Sequence, residues 1–439
     1  FFMLLLNKLL KILFFVSMCF SQGPSNGYGI GSLQQWSSAS AGGSSSLGMT
    51  PSYRNHVSLS NPTTWSNLKF TSLSIAYNGF ESTIKNNSIN GYSNLQSAQL
   101  IIPIKRKHAL GIELHPYSYQ KVNLLDSLNS ESIVFGDTVS MAKEYKQAGG
   151  IMAFNLSVAS SILPKTSIGV TFQLLFGSSR QSNNLNIDEI PYTLSSRLNF
   201  SGINALLFAE HKINELSLYF KSKVSIKPLE ALSTKLYPYF DANKNGYHDL
   251  VYDYLNPGYD FPEPNDVPNP LTKRLTDIHR PFSLGIGVSK IFLDRLQLSL
   301  EFEKNEDNSS FENEMPNSFN NRIVNSNHIS LGVAWFSNEK SFQLFDNFTF
   351  RSGFSVNAYT LDEFNNASLL RIDGQNNISE IGFSFGFGYK FKTVGNQIDF
   401  TYHSSLRDHS NIFIGEELFR GFQVGISIAD IWFIKRRQR

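Results

Sequence analysis

The chain has 439 residues, of which 17% are charged, 13% aromatic and 41% hydrophobic, and its formal net charge is +2. That is too long for one small domain and too sparsely charged for an ordinary cytosolic enzyme. The near-neutral balance, with no basic patch, argues against a nucleic-acid partner.

Lys8 and Lys11 come first, then the apolar run 12–16, then Cys19, Phe20 and Ser21 before Gln22. A basic region, a short apolar core and a small residue together read as a signal peptide over residues 1–21, cleaved on export. The run is too short to span a bilayer, which needs about 20 residues. A short membrane anchor and lipid attachment at Cys19 are the alternatives, and Met18 suits the latter poorly. Cleavage after Ser21 removes the only cysteine, leaving no thiol, disulfide or thiolate metal site. Residues 22–67 are rich in Gly and Ser and have no sustained period. Scattered Tyr28, Ile30, Leu33, Trp36, Tyr53 and Trp65 predict a segment that packs irregularly against something.

From residue 68 a period of two sets in, the period of a β-strand whose side chains alternate between faces. Leu73, Ile75 and Tyr77 share a face, and so do Leu110, Ile112 and Leu114. The pattern recurs through Ile168–Phe176 alternates, then Leu296, Leu298, Leu300 and Phe302, and ends with Phe422, Val424, Ile426 and Ile428. Its clearest copy is 381–392, where Ile381, Phe383, Phe385, Phe387, Tyr389 and Phe391 alternate with glycine, serine and lysine. The count is about fourteen strands. Short links fall at 105–108, 163–165, 212–215, 293–294 and 393–396, with 337–347 a longer link on the same side. Long loops are expected at 120–143, 179–192, 231–280, 305–320, 360–379 and 404–420.

Short turns at one end and long loops at the other are the pattern of an outer-membrane barrel. In hydrocarbon every backbone polar group must be paired, so strands can span only as a closed barrel. The expected fold is therefore all-β: a transmembrane antiparallel barrel over 68–434, preceded by a plug at 22–67 and followed by a basic tail at 435–439. Partners are the lipid bilayer and a small hydrophobic molecule. A stacked soluble sandwich is the alternative. Parity turns Lys221, Lys223, Arg351, Lys390, Glu301, Glu303 and Asp399 inward, making the lumen rather polar. Apolar parity slips between Leu194 and Phe208, which predicts a β-bulge. Pro103 and Pro116 each remove a ladder donor, leaving rim bulging or a kink that opens the wall to an apolar ligand.

In the longest loop, Asp241, Asn243, Asn245 and Asp249 place oxygens at positions one, three, five and nine around Gly246. That matches the front of a calcium loop, although position twelve is Tyr252, not Glu. A polar turn stiffened by the prolines that follow is the alternative, and no cofactor is required. His115, His328 and His403 are separate, and no serine sits in a nucleophile setting, so no enzyme is expected.

Gly29-Ile30-Gly31, the Gly/Ser run and Leu59-Ser60-Asn61-Pro62-Thr63 ahead of the first strand resemble the FadL-like outer-membrane transporters of long-chain fatty acids and other hydrophobic compounds. That family usually has Asn-Pro-Ala where this chain has Thr63. The resemblance implies a hatch inside the barrel, marked by Asn61 and Pro62, and passive diffusion through a lumen pocket. It implies that Lys221, Lys223 and Arg351 could meet an acidic head group; cations balancing lumen carboxylates are the alternative. Trp432 and Phe433 are followed by Ile434 and basic residues, which resembles FadL-like barrels of the Bacteroidetes type. The second function is thus a structural barrel or a type IX secretion partner, with no transport role.

Overall fold

The computed structural model describes residues 24–430 apart from 37, 85–87, 105–106, 135–136, 188–189, 243–247, 249–259, 294, 311–320, 339–342, 364–376, 392–395 and 410–414. The leader contributes a two-residue strand β1 (Ser32–Leu33) and a short helix α1 (Ala39–Gly43). The wall follows as β2 (Thr71–Ile84), β3 (Ser88–Ile104), β4 (His108–Tyr119), β5 (Val122–Val134), β6 (Asp137–Leu163), β7 (Thr166–Ile187), β8 (Ile190–Ile213) and β9 (Leu216–Lys235). It continues as β10 (Leu271–His279), β11 (Pro281–Phe292), β12 (Leu296–Asp307), β13 (Asn321–Trp335), β14 (Phe348–Glu363), β15 (Asn377–Lys390), β16 (Gln397–Asp408) and β17 (Glu416–Asp430).

Neighbours pair antiparallel, and β17 pairs with β2 from Glu417↔Ile84 to Asp430↔Thr71, closing the sheet. Two wall positions are each filled by two strands. β4 and then β5 run along β6, and β11 and then β10 run along β9. The result is a closed barrel of 14 strands. The outside is apolar and exposed, with Ile381 56%, Phe383 53% and Phe385 47% accessible, while the alternate residues of β15 are buried.

Several expected loops are strands. Much of 120–143 forms β5 and the start of β6, and 179–192 is the hairpin of β7 and β8. Residues 231–235 and 271–279 likewise belong to β9 and β10. β6, β7, β8 and β9 run for 27, 22, 24 and 20 residues. A membrane strand needs only about 9–11. Above lipid no face has to be apolar, so the hydrophobic alternation stops while the hydrogen-bond ladder continues.

From Ser196 to Glu210, β8 alternates without a slip. Leu198 and Phe200 are buried inward, and Leu207 faces out. The two apolar sets occupy opposite faces because the upper lumen has an apolar lining of its own. Ile30, Tyr117, Ile151, Leu175, Leu198 and Leu229 belong to that cluster. The irregularity lies opposite, where register shifts between β8 and β9 beside Ile203. The upper lumen is therefore not the polar space that strand parity predicted.

The leader packs within this wall. α1 lies against β14, β15, β16 and β17, and Pro62–Asn67 lies against β4, β6, β7 and β8 on the other side. Inward glycines make room for it. A Cβ on Gly386 would stand 2.9 Å from Gly43 Cα, and one on Gly111 would stand 2.3 Å from the Trp65 ring. The small face of the 381–392 pattern is the seat of the leader.

Candidate functional site

The floor of the lumen is fixed by buried charge. Ser45 at φ 51 and Gly48 at φ 93 coil residues 46–50 around the Glu301 carboxylate of β12. Leu47 N, Thr50 N and Ser46 Oγ donate to it at 2.6, 2.7 and 2.7 Å, and Thr50 Oγ1 donates as well. Converging backbone amides in such a loop form an anion-binding concavity, filled here by a residue of the wall. Arg351 Nη1 lies 2.7 Å from Asp399 Oδ1, and its Nε donates to the Ser52 carbonyl. Asn61 caps the turn that follows it, accepting from Thr63 N at 3.1 Å and donating to Met49 O at 2.8 Å. Pro62 rests on Gly169 of β7.

Above this floor is a cavity of 270 Å³. One wall brings together Glu113, His115, Tyr117, Phe208, Lys221 and Lys223. Lys221 Nζ pairs with Glu303 at 2.9 Å, and Lys223 Nζ stands 5.1 Å from the Tyr117 ring centroid. A cation over an aromatic face at that distance is held electrostatically. Tyr117 crosses the lumen to His279 Nε2 at 2.9 Å, and His279 Nδ1 reaches Asp307 at 2.9 Å. The opposite wall presents Tyr28, Tyr359, Arg407 and Phe419. Arg407 bridges Glu380 at 3.0 Å and Glu417 at 3.3 Å, and His409 joins Glu417 at 2.8 Å. Burial holds the Tyr28 phenol above its ordinary value, with Glu417 adding to the effect.

The barrel wall has a notch beside this cavity. β3 and β4 pair only as far as Ala98↔Leu114, whereas β4 stays paired to β6 as far as Tyr119↔Gly150. Register shifts between Pro116 and Ser118, so β4 bulges at Tyr117. The proline has no N–H for the ladder, and the cross-lumen bond of Tyr117 holds the bulge inward. Leader residues occupy the gap. β1 pairs with Tyr119 and Ser118 on the free edge of β4. Gln34 N donates to Tyr117 O at 3.1 Å, and its Nε2 donates to Gln96 O of β3 at 3.0 Å. Tyr119 Oη donates to Gln34 Oε1 at 3.2 Å.

Of the expected ligand residues, Lys221 and Lys223 line the cavity, whereas Arg351 lies below it in the floor. Pro116 stands at the notch, and Pro103 sits in the paired part of β3 opposite Ala109. Among the lumen histidines, His328 bonds Asn357 and Ser326, both at 2.9 Å. His403 packs edge-on against Trp36. Asp241 is buried, while Asn243, Asn245 and Asp249 lie outside the described residues, as do 1–21 and 435–439. No group of acids, His or Cys among the described residues could hold a metal. Tyr117, His279 and Gln34 were not expected from sequence, because their partners are 162 and 62 residues away.

The family profile described as BamG matches residues 6–438. No sequence relative is found among curated proteins. Among solved structures, a FadL homologue of Pseudomonas aeruginosa is 13% identical with TM-score 0.56, covering 92% of this chain and 100% of that one. The CymD monoaromatic hydrocarbon channel is 12% identical with TM-score 0.51, covering 93% and 99%. The toluene transporter TodX of Pseudomonas putida is 12% identical with TM-score 0.50, covering 92% and 100%. At such identities the likeness is one of fold.

Proposed function

The chain belongs to the BamG family and folds as a FadL-like outer-membrane barrel, and from that premise we propose that it passes small hydrophobic molecules through its lumen cavity without chemical change. The observation that carries this is the cavity's position. It lies above a floor fixed by Glu301 and Arg351 and opens beside the β3–β4 notch. A molecule collected under the long loops meets apolar walls at Phe208, Tyr117 and Phe419. Straight passage downward requires breaking buried charged contacts. Sideways passage requires only the displacement of residues 32–36. At 270 Å³ the cavity is at the small end of ligand pockets, which run about 300–1,000 Å³. A compact ligand suits it better than an extended chain, and Lys223 can meet an acidic end.

The test uses naphthalene as probe and Trp36, which lines the cavity, as reporter. Saturable quenching of the purified barrel is expected. Gln34→Ala should speed transfer of naphthalene from the barrel into surrounding vesicle lipid by about fivefold, the factor for one hydrogen bond of roughly 1 kcal/mol. Quenching that never saturates would remove the transport reading.

The tall wall of β6–β9 favours a second reading, a structural or secretion-associated barrel whose extramembrane sheet meets another protein. Such a barrel needs no ligand, and deleting the upper hairpin 179–196 would abolish its role while leaving the lumen intact.

A further inference from the structure

The short-turn end of the barrel presents apolar side chains at two of its links. Phe345 is 82% exposed and Leu293 is 81% exposed, against 56% for Ile381 on the lipid-facing wall. Leu293 stands at φ 50 in the turn between β11 and β12. Such a backbone favours Gly or Asn, and Asn214 fills the like position at φ 55 between β8 and β9. A leucine there gives up turn preference and sets an apolar tip at the rim. Phe345 opens the one-turn helix Phe345–Asn347 in the link from β13 to β14.

Two contacts place these tips on the outer side of the rim. Arg295 Nη2 lies 2.9 Å from Asp346 Oδ1, which ties the link to the β11–β12 turn. The same guanidinium stands 5.8 Å from the ring centroid of Trp335. Trp335 is exposed on the outward face, between buried Ala334 and Phe336. Arg295 thus holds the helix beside the lipid-facing wall and not beneath the lumen. At the end of β11, Lys290 Nζ stands 4.7 Å from the Phe292 ring centroid. Cations over aromatic rings at the edge of a barrel suit the headgroup zone, where aromatic girdles lie.

Height decides what covers the tips. On β15 the outward apolar face runs from Ile381 to Phe391, with exposed Ser379 above it. Those ten residue steps, rising about 3.4 Å each on a strand tilted about 40°, span roughly 26 Å. The apolar band of a barrel is about 25 Å tall, so hydrocarbon reaches the turns. On β13 the outward apolar face runs only from Ile329 to Trp335, and exposed Asn325 and Asn327 bound it above. Its six steps span roughly 16 Å, which leaves about 10 Å of the band to be filled from the turn side. Phe345 and Leu293 stand at that place. The surface they extend already meets lipid.

We propose that Leu293 and Phe345 form an interfacial anchor, seated in the phospholipid surface at the short-turn end and completing the apolar band below β12 and β13. The full-length barrel with Cys19 replaced carries Phe345→Cys or Leu293→Cys, labelled with nitrobenzoxadiazole and reconstituted in phosphatidylcholine vesicles. Leu271→Cys, 75% exposed on the tall side, is the reference label in water. Iodide on both sides of the vesicle should quench the two anchor labels about tenfold less than the reference, the factor for burying about half of a large apolar side chain. Phosphatidylcholine with a nitroxide near its headgroup should quench the anchor labels and spare the reference. Heat-dependent gel mobility checks that all three variants are folded. Iodide quenching equal to the reference at either site would overturn the proposal and leave a protein as the cover of the tips. A label quenched by neither agent is packed against the barrel itself, which would overturn it as well. The anchor lies outside the lumen, so either result leaves the transport reading as it stands.

Discussion

Arg351 and Asp399 are both inside, and the arginine also accepts the task of tying Ser52 to the wall. Neither charge would be tolerated alone, because an unpaired buried ion keeps its desolvation cost without the compensating partner. Arg351→Met should therefore destabilise the barrel by about 3–5 kcal/mol. The check is the shift in urea midpoint in detergent, with the slope unchanged. Adding Asp399→Leu should restore most of the loss, since an apolar pair of similar volume is often neutral. If Arg351 were instead a ligand residue, the single variant would lose binding with no loss of stability. Glu301 obeys the same rule by a different route, through the amides and hydroxyls of residues 46–50.

Strand β15 joins two requirements in one sequence. Its aromatic face meets the exterior, and its glycines admit the leader at close range. Gly386→Ala places a methyl 2.9 Å from Gly43 Cα, where backbone must give way. We expect about 1–3 kcal/mol of destabilisation, the usual cost of overpacking. The same substitution in a chain lacking residues 26–65 should cost less but not nothing, because Thr401 Oγ1 of β16 also stands 2.8 Å from the new methyl. Urea titration of the four variants reports the coupling, and equal costs in both backgrounds would refute close packing of leader on wall. Asn61 and Pro62 act at this level too: one caps a turn and the other fills the hollow at Gly169.

At the level of the whole molecule, the long-strand side rises well above the apolar exterior while the other end closes in short turns. Leu271 is 75% exposed on the tall side and Leu344 is 62% exposed at the short-turn end. With Cys19 replaced, a membrane-impermeant maleimide on intact cells should label Leu271→Cys and leave Leu344→Cys unlabelled until the envelope is opened. The reverse result would invert the barrel.

Local alternation determined the fold. An apolar residue at every second position fixes a strand with one greasy face, and enough such strands can hide their backbones in lipid only by closing. The same parity correctly turned Lys221, Arg351, Lys390 and Asp399 inward, since a charge on the lipid face carries a prohibitive cost. Three things lay outside its reach. Strands beyond the lipid keep their ladder without any apolar period, so β5 and β10 read as loops. Inward apolar residues such as Leu198 and Phe200 looked like a slipped register, because cluster members such as Tyr117 and Leu275 come from strands far along the chain. The notch, its Gln34 closure and the separation of Arg351 from Lys223 were decided only when the barrel closed around the leader. Which inward groups meet one another depends on registers across the lumen, and a one-dimensional period carries no information about them.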